Sequence, residues 1–371
     1  MKYNITCIPW VESILKKEIE KFGYKITETR DRIVTFEWDL LALARLNIWS
    51  RVGNKVYLEL SEWYVNNFDD LFDLVAKIDW KYYINENSPI IVNWVSVKSS
   101  LESIPAIQKT TKKAIVTKIT GVKDKFLNED DTLPVNDILV MIFDNKAKIL
   151  LDTTWEALHK RWYRVGQHEA PIKESLAAAL VLLSGWNFRD NFYDLFCGSW
   201  TIPIEAALIA KNIAPGLIWR RYAFENFSWY PESYYNEAIE EAKQKVITWK
   251  TYNIFASDID EYSIESAIVN AKNANVDDII KFEIKWVESY LGSRNLEWTL
   301  VSNPPYWLRL NPRDLQNIYK NISTILKNNP NLNWWIITSN LEFDSLINLS
   351  NWKKRKLYNW NELCYFYKKV K

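Results

Sequence analysis

Glycine is nearly missing from this sequence: 8 residues in 371, where average usage of about 7% would give roughly 26. So few glycines leave few positions at which the backbone can turn left-handed or approach a ligand closely without strain. Cysteine and histidine are scarce too. Cys7, Cys197 and Cys364 are odd in number and far apart, which excludes a disulfide framework and suits reduced thiols. Two histidines, His159 and His168, without any zinc-type spacing of Cys and His, leave no basis for a metal centre, and none is expected. No apolar run approaches the ~18 residues of a membrane span, and Met1-Lys2-Tyr3-Asn4-Ile5 lacks a secretory apolar core, so a cytoplasmic protein without a membrane partner is expected. An excess of one charge is missing as well. Lys and Arg number 47, Asp and Glu 46, for a net charge of +1, so any polyanion would have to be held by local basic clusters rather than by a global field. What remains, 48% hydrophobic and 25% charged residues, is a globular composition long enough for two or three domains.

Among what is present, Asn303-Pro304-Pro305-Tyr306 carries the most chemistry. An Asn side-chain carbonyl and the next backbone carbonyl can both accept from one planar amino group, which turns the nitrogen lone pair toward an electrophile, while the Tyr ring offers a base a stacking face. A Pro pair after the apolar run 298–301 is also ordinary turn punctuation, so the tetrapeptide alone is ambiguous. About a hundred residues upstream, 192–196 reads as a buried strand, Cys197-Gly198-Ser199-Trp200 as a tight loop, and 201–208 as the start of a helix. Strand, small-residue turn and helix N-terminus form the nucleotide-binding corner of a doubly wound α/β domain. A second corner follows, with a strand over 253–256, Ser257-Asp258-Ile259-Asp260 at its tip, and a helix over 261–274. Acidic groups at that tip are placed to grip ribose hydroxyls, or simply to cap the helix.

These segments carry a resemblance. From about Asp152 onward the chain resembles class I S-adenosylmethionine-dependent methyltransferases, and more narrowly the bacterial THUMP-domain guanine-N2 methyltransferases of large-subunit ribosomal RNA. The matching stretches are 159–164 (HKRWYR), 170–179 (APIKESLAAA), the 194–207 corner, 303–306 and 355–359. Less sharply, 8–12, 47–51 and the basic helix at 109–118 match the family's N-terminal part. The resemblance implies an α/β, Rossmann-like catalytic domain with a mostly parallel seven-stranded sheet and an antiparallel C-terminal hairpin, preceded by an α+β ferredoxin-like and THUMP RNA-binding region. It implies S-adenosylmethionine as cofactor and RNA as partner, 23S ribosomal RNA or a large-subunit precursor, with a monomer expected. Site residues carried over are Asn303, Pro304, Pro305 and Tyr306 for catalysis. Asp194, Phe196, Cys197, Gly198, Ser199, Thr201, Asp258, Asp260 and Glu288 are expected at the cofactor, Glu288 standing where relatives carry an Asp that meets the adenine. Lys109, Lys112, Lys113, Lys118, Arg161 and Arg164 are expected on the RNA.

Against that pattern, positions 10, 155, 162, 200, 298, 307 and 360 would be glycine, and all are Trp. The 8 Gly and 20 Trp of the chain sum to 28, close to the ordinary glycine allotment. The account that joins the two observations is that many of these Trp codons are UGA, read conventionally although the source lineage uses UGA for glycine; the abundance of Lys, Asn and Ile suits an AT-rich genome. The other account is a chain truly rich in Trp, whose Trp200 would crowd the cofactor turn. Trp49, Trp80, Trp186 and Trp229 stand where an aromatic is tolerated and are read as authentic.

Periodicity and turn signals place the elements. Short strands alternate with an amphipathic helix over 11–22 in the first part, and the resemblance makes 1–65 the ferredoxin-like unit and the segments at 66–154 and 172–371 the THUMP and methyltransferase units. A THUMP unit spans 66–154, with helices over 68–78 and 107–119, a strand over 90–97, and paired strands over 138–143 and 148–152. Residues 155–171 read as a linker, and 172–371 as the methyltransferase domain, opening on a helix over 173–183. Its later strands are expected at 279–284, 299–302 and 335–338, with an edge hairpin of 356–358 and 363–367. Two other readings stay open. The tetrapeptide also serves adenine-N6 and protein-glutamine methyltransferases, and a chain with authentic Trp200 and Trp307 could be a non-enzymatic RNA-binding or ribosome-assembly protein.

Overall fold

The computed structural model describes residues 1–371 apart from 124, 165–171, 199, 295, 297, 306–311, 348, 350 and 371, and the side chain of 312. Tyr306, Ser199 and Trp307 therefore lie outside the described residues.

Fourteen strands form two seven-stranded sheets among the described residues. The first contains β1 (Lys2–Cys7), β2 (Lys25–Arg30), β3 (Ile33–Glu37), β4 (Gly53–Tyr64), β5 (Ile90–Val97), β6 (Asn136–Phe143) and β7 (Lys146–Asp152), in the order β2-β3-β1-β4-β7-β6-β5. Helices α1 (Glu12–Glu20), α2 (Leu41–Trp49), α3 (Phe68–Ala76), α4 (Trp80–Tyr83) and α5 (Ile104–Thr120) accompany it. The ferredoxin-like and THUMP units, expected side by side, are joined through one strand. The twelve residues of β4 pair antiparallel with β1 along one edge and with β7 along the other, so a single backbone ladder runs through both units.

The second sheet holds β8 (Asn191–Asp194), β9 (Ile254–Asp258), β10 (Ile280–Ile284), β11 (Trp298–Ser302), β12 (Asn333–Thr338), β13 (Trp352–Asn359) and β14 (Glu362–Lys369), in the order β10-β9-β8-β11-β12-β14-β13. Its first five strands are parallel and the last two form the antiparallel edge hairpin. Helices α6 (Glu174–Ser184), α7 (Thr201–Ala210), α8 (Glu232–Gln244), α9 (Glu261–Asn273), α10 (Pro312–Asn328) and α11 (Phe343–Ile347) connect and flank the strands. Helix α7 is apolar almost all round, TIPIEAALIA, and nearly every residue is buried, as a helix inside a two-sided α/β layer must be. Among the described residues no helix is long and apolar enough to cross a membrane.

The halves meet in a polar junction. Asn47 of α2 donates to Leu43 O and Thr153 Oγ1, both at 3.0 Å, and its Oδ1 accepts from Thr154 Oγ1 at 2.6 Å. Tyr222 of the second half donates to the Asn47 carbonyl at 3.3 Å. Gly216 lets the two backbones touch, since a Cβ there would stand 2.6 Å from Ile48 Cα. The stretch expected as a linker is also packed: Leu158, Arg161 and Tyr163 are buried. The Asn47, Thr153, Thr154 and Tyr222 bonds fix the arrangement of the two halves more specifically than apolar contact alone, while Arg51 Nη1 and Arg161 Nε are buried without a hydrogen-bond partner among the described residues.

Twelve described non-glycine residues have positive φ, and four of them are Trp: Trp10 at 72°, Trp155 at 75°, Trp200 at 52° and Trp360 at 57°. Five others are Asn or Asp, the residues that tolerate this region; a bulky indole does not belong there. Trp360 opens the two-residue loop of the β13–β14 hairpin, closed by Asn359 opposite Glu362, where tight turns call for glycine. Trp298 instead sits in β11, stacked on Tyr193, and Trp162 is absent from the positive-φ set. The tryptophans read as authentic behave differently. Trp80, Trp186 and Trp229 donate their indole N–H to Val75 O, Asp190 O and Tyr83 O at 2.9, 2.9 and 3.0 Å, and Trp49 packs edge-on against Phe22.

Candidate active site

In the second sheet the strand order reverses between β8 and β11, and crevices at such a switch point, outside the carboxyl ends of the strands, hold the ligand. Both sequence-predicted loops leave the sheet there. At the end of β8, Asp194 is 1% exposed, and its Oδ1 accepts the Phe196 N–H at 3.2 Å. Burial pushes this carboxyl up to about 7, against the lowering effect of Ser302 and the Phe196 N–H, with the nearby Asp258 charge adding to the rise. Between the unfolded value near 4 and about 7, the folded protein thus holds a proton that the unfolded chain has released, so stability falls as pH rises through that window and levels off above it. Asp194→Asn removes the titration. The melting temperature of the variant relative to the parent should therefore climb between pH 4 and 7; an unchanged difference across that range would show Asp194 ionising normally.

The turn that follows is tied to the second corner. Cys197 donates its N–H to Ser257 O at 3.0 Å, and Gly198 (φ 27°) donates to Asp258 Oδ2 at 2.8 Å. Asp258 Oδ1 also accepts the Asp260 N–H at 3.1 Å. Each of its oxygens keeps lone-pair capacity for a further donor. Burial, above all other influences, raises the Asp258 carboxyl and carries the Cys197 thiol well above its ordinary value, the reverse of what an activated nucleophile needs. Phe196, Leu195, Ser302 and Pro304 line a small apolar hollow under the second loop. In that loop Asn303 and Pro305 are half-buried and Pro304 is buried.

Several expected residues are employed elsewhere. Asp260 is the N-cap of α9, accepting from the Ser263 N–H at 3.1 Å and its hydroxyl at 2.6 Å; the capping alternative describes it. Glu288 is exposed and accepts from Asn321 Nδ2 of α10 at 2.7 Å. Thr201 is buried at the first turn of α7, its hydroxyl accepting from Arg164 Nη2 at 2.8 Å, while Arg164 Nε lies 3.2 Å from Glu174. Arg161 is 4% exposed and pairs with Glu205 inside the protein, with a second bond to Arg51 O. Tyr163 OH joins it on Glu205 at 3.1 Å. Arg164 is half-buried and held by Thr201, Ile172 O and Glu174 of the second half, whereas Arg161 is spent inside the junction and is not presented to a phosphate. The sequence did hold a signal for this, a single Glu in the otherwise apolar α7, which a buried charge must answer with a partner. The lysines lie together on α5. Lys109 and Lys118 are exposed, Lys113 is half-buried, and Lys112 pairs with Glu129 at 2.8 Å. Among the described residues no group of three His, Cys, Asp or Glu could hold a metal.

This architecture is shared. The family profile for the "RMKL-like, methyltransferase domain" matches residues 161–368, the "RlmL ferredoxin-like domain" residues 2–57, and the "THUMP domain" residues 65–152. The chain is 36% identical over 354 residues to the "Putative RNA methyltransferase YpsC" of Bacillus subtilis (strain 168), an overlap of 94% of this chain and 90% of that protein. It is 33% identical over 309 residues to the "Ribosomal RNA large subunit methyltransferase K/L" of Buchnera aphidicola, covering 80% of this chain but 43% of that longer protein. Two solved structures superpose over 100% of the chain. One is "SMU.472, a putative methyltransferase complexed with SAH", with a TM-score of 0.89, 30% identity and 97% of its own length covered. The other is "a predicted N6-adenine-specific DNA methylase from Listeria monocytogenes str. 4b F2365", with 0.90, 34% and 96%. With a buried acid, a tight turn before a helix N-terminus and an acid at the next strand tip meeting at the switch point, the chain belongs to the THUMP-containing, RMKL-like family of class I methyltransferases, whose methyl donor is S-adenosylmethionine.

Proposed function

We propose that this protein methylates the exocyclic N2 amine of a guanosine in RNA, with 23S ribosomal RNA as the substrate. The observation that carries the reading is the emergence of Asn303-Pro304-Pro305 beside Leu195–Phe196, the segment that leads into the Cys197–Gly198 turn, in a chain whose other half matches a THUMP domain. The backbone at 197–198 would hold the methionine part of the cofactor and Asp258 its ribose, through the lone pairs that its backbone partners leave over. When bound, S-adenosylmethionine supplies an electrophilic methyl on sulfur, which passes to the amine nitrogen as the carbon–sulfur bond breaks.

The protein's part is positioning. Asn303 Oδ1 and the Pro304 carbonyl accept the two amine hydrogens and hold the nitrogen lone pair toward the methyl, and Tyr306 stacks on a guanine presented out of its helix. The proton surplus on the methylated nitrogen leaves to solvent, so no strong base is required and the raised thiol of Cys197 takes no part. Lys109, Lys113 and Lys118 on α5 supply phosphate contacts at a distance from the chemistry, which fix register without reading sequence.

The adenine reading is favoured by the likeness to the Listeria protein, which is named for adenine-N6 and DNA, and the Asn-Pro-Pro device specifies a planar amine rather than a base. The THUMP match weighs toward RNA. Incubation of 23S ribosomal RNA with labelled S-adenosylmethionine, followed by digestion to nucleosides, should give N2-methylguanosine. Label in N6-methyladenosine, or in DNA in preference to RNA, would replace this reading with its rival.

A further inference from the structure

We propose that Ser302 and Tyr319 are positioning residues that clamp the Asn303-Pro304-Pro305 loop from opposite sides; the proposal rests on the reading of that loop as the amine-holding device. Two consecutive prolines leave the loop without N–H groups at 304 and 305, so its own amides cannot anchor it there and only its carbonyls and its flanks can be held. The structure supplies a hold at each.

On the cofactor side, the ladder between β8 and β11 ends with Leu300 opposite Tyr193. Beyond that pair the strands part, and the Leu195 N–H would lose its partner. The buried Ser302 hydroxyl accepts it at 2.9 Å, and Ser302 stands near enough to the Asp194 carboxyl to oppose the rise that burial causes there. One side chain thus continues the sheet across the switch point and ties the residue before Asn303 to Leu195, which leads into the cofactor turn. On the other side, Tyr319 of α10 is fully buried. Its hydroxyl lies 3.3 Å from the Pro305 carbonyl and 3.1 Å from Thr338 Oγ1 at the end of β12. A carbonyl can only accept, so Tyr319 donates to Pro305 and takes the Thr338 hydroxyl as its own donor. The Asn340 N–H in turn donates to Thr338 Oγ1 at 3.1 Å. The resulting chain, Asn340 to Thr338 to Tyr319 to Pro305, runs in one direction from the end of β12 to the loop, and each bond polarises the next.

A tyrosine satisfying its own buried hydroxyl would look similar, and kinetics separate the two roles. Tyr319→Phe and Ser302→Ala each remove one hydroxyl and nothing else; Ser302→Thr restores one. The expected result is a 10- to 100-fold fall in the single-turnover rate of methyl transfer to RNA in the first two variants, the order associated with a misplacement of about 1 Å. S-adenosylhomocysteine affinity by calorimetry should stay within about twofold, and the threonine variant should recover most of the rate. Amide hydrogen exchange at Asn303 and Leu195 should rise in the same two variants, a readout that needs no methyl acceptor. Folded variants with parental exchange at both amides would overturn the clamp whatever the activity. Raised exchange in variants of a protein that methylates no RNA would leave the clamp standing and reject the substrate instead.

Discussion

Asn303→Ala should lower methyl transfer by about 10²–10³ or more while S-adenosylhomocysteine binds as in the parent. Removal of one preorganised hydrogen-bonding group aimed at a reacting centre costs about this much in comparable sites. Loss of alignment between amine and methyl adds to it, because orientation can supply up to roughly 7–11 kcal/mol of a barrier. Cofactor affinity is spared because the turn at 197–198 is stitched to Asp258 through the Gly198 N–H. Asn303→Asp keeps an acceptor oxygen in place and should retain a measurable fraction of the rate, whereas the alanine variant should not. Single-turnover assays with calorimetry in parallel test this. Alanine at 303 with full turnover would remove the loop from the chemistry, and with it the proposed function; a joint loss of binding and turnover would make the loop part of the cofactor site instead.

The second large effect concerns the tryptophans at positive φ. A left-handed conformation costs an L-residue roughly 1–2 kcal/mol, and the extra unfolded-state freedom of glycine returns about 0.5–1 of that. Trp10, Trp155 and Trp360 are 50%, 43% and 56% exposed, so shortening them also gives up the buried part of each indole, including the face of Trp360 under Lys173 Nζ at 4.3 Å. Glycine at all three relieves about 2 kcal/mol of backbone strain in sum against the indole contact given up, and the melting temperature of the triple variant should rise where strain is the larger of the two. Trp200 behaves otherwise, because its indole is fully buried in the main core and its removal leaves a void. At that position the expected gain is in cofactor affinity, at least tenfold by calorimetry, since the last place of a nucleotide-binding turn is kept small for close packing and backbone approach. Both results together would support UGA-encoded glycine in the natural protein. A triple variant less stable than the parent, with tight cofactor binding by the chain as written, would establish the tryptophans as genuine and bring forward the alternative account of the sequence.

Element order was legible in the sequence because the signals behind it are local. The alternation of strands and helices, the small-residue turn after Asp194 and the acids at 258 and 260 each follow from periodicity or turn chemistry within a dozen residues, while the C-terminal hairpin was implied by the family resemblance. The glycine deficit was legible in the same way, and the four tryptophans at positive φ now give it a conformational basis. Local signals could not tell Asp258 from Asp260. One acid became a bridge between two corners and the other a helix cap, a difference decided by where Gly198 and Ser263 present their N–H groups. Nor could they show that Arg161 turns inward, since a basic run looks the same whether it meets solvent, a phosphate or a buried Glu205.

What the chain determined alone is therefore its list of elements and the chemical character of its two loops. Tertiary structure decided which polar groups are spent on the protein itself: β4 serving two units at once, Arg161 on Glu205, Ser302 on Leu195, Tyr319 on Pro305. The physical reason is that a buried donor or acceptor takes whichever partner the packing brings within about 3 Å, and those partners stand tens to hundreds of residues away along the chain.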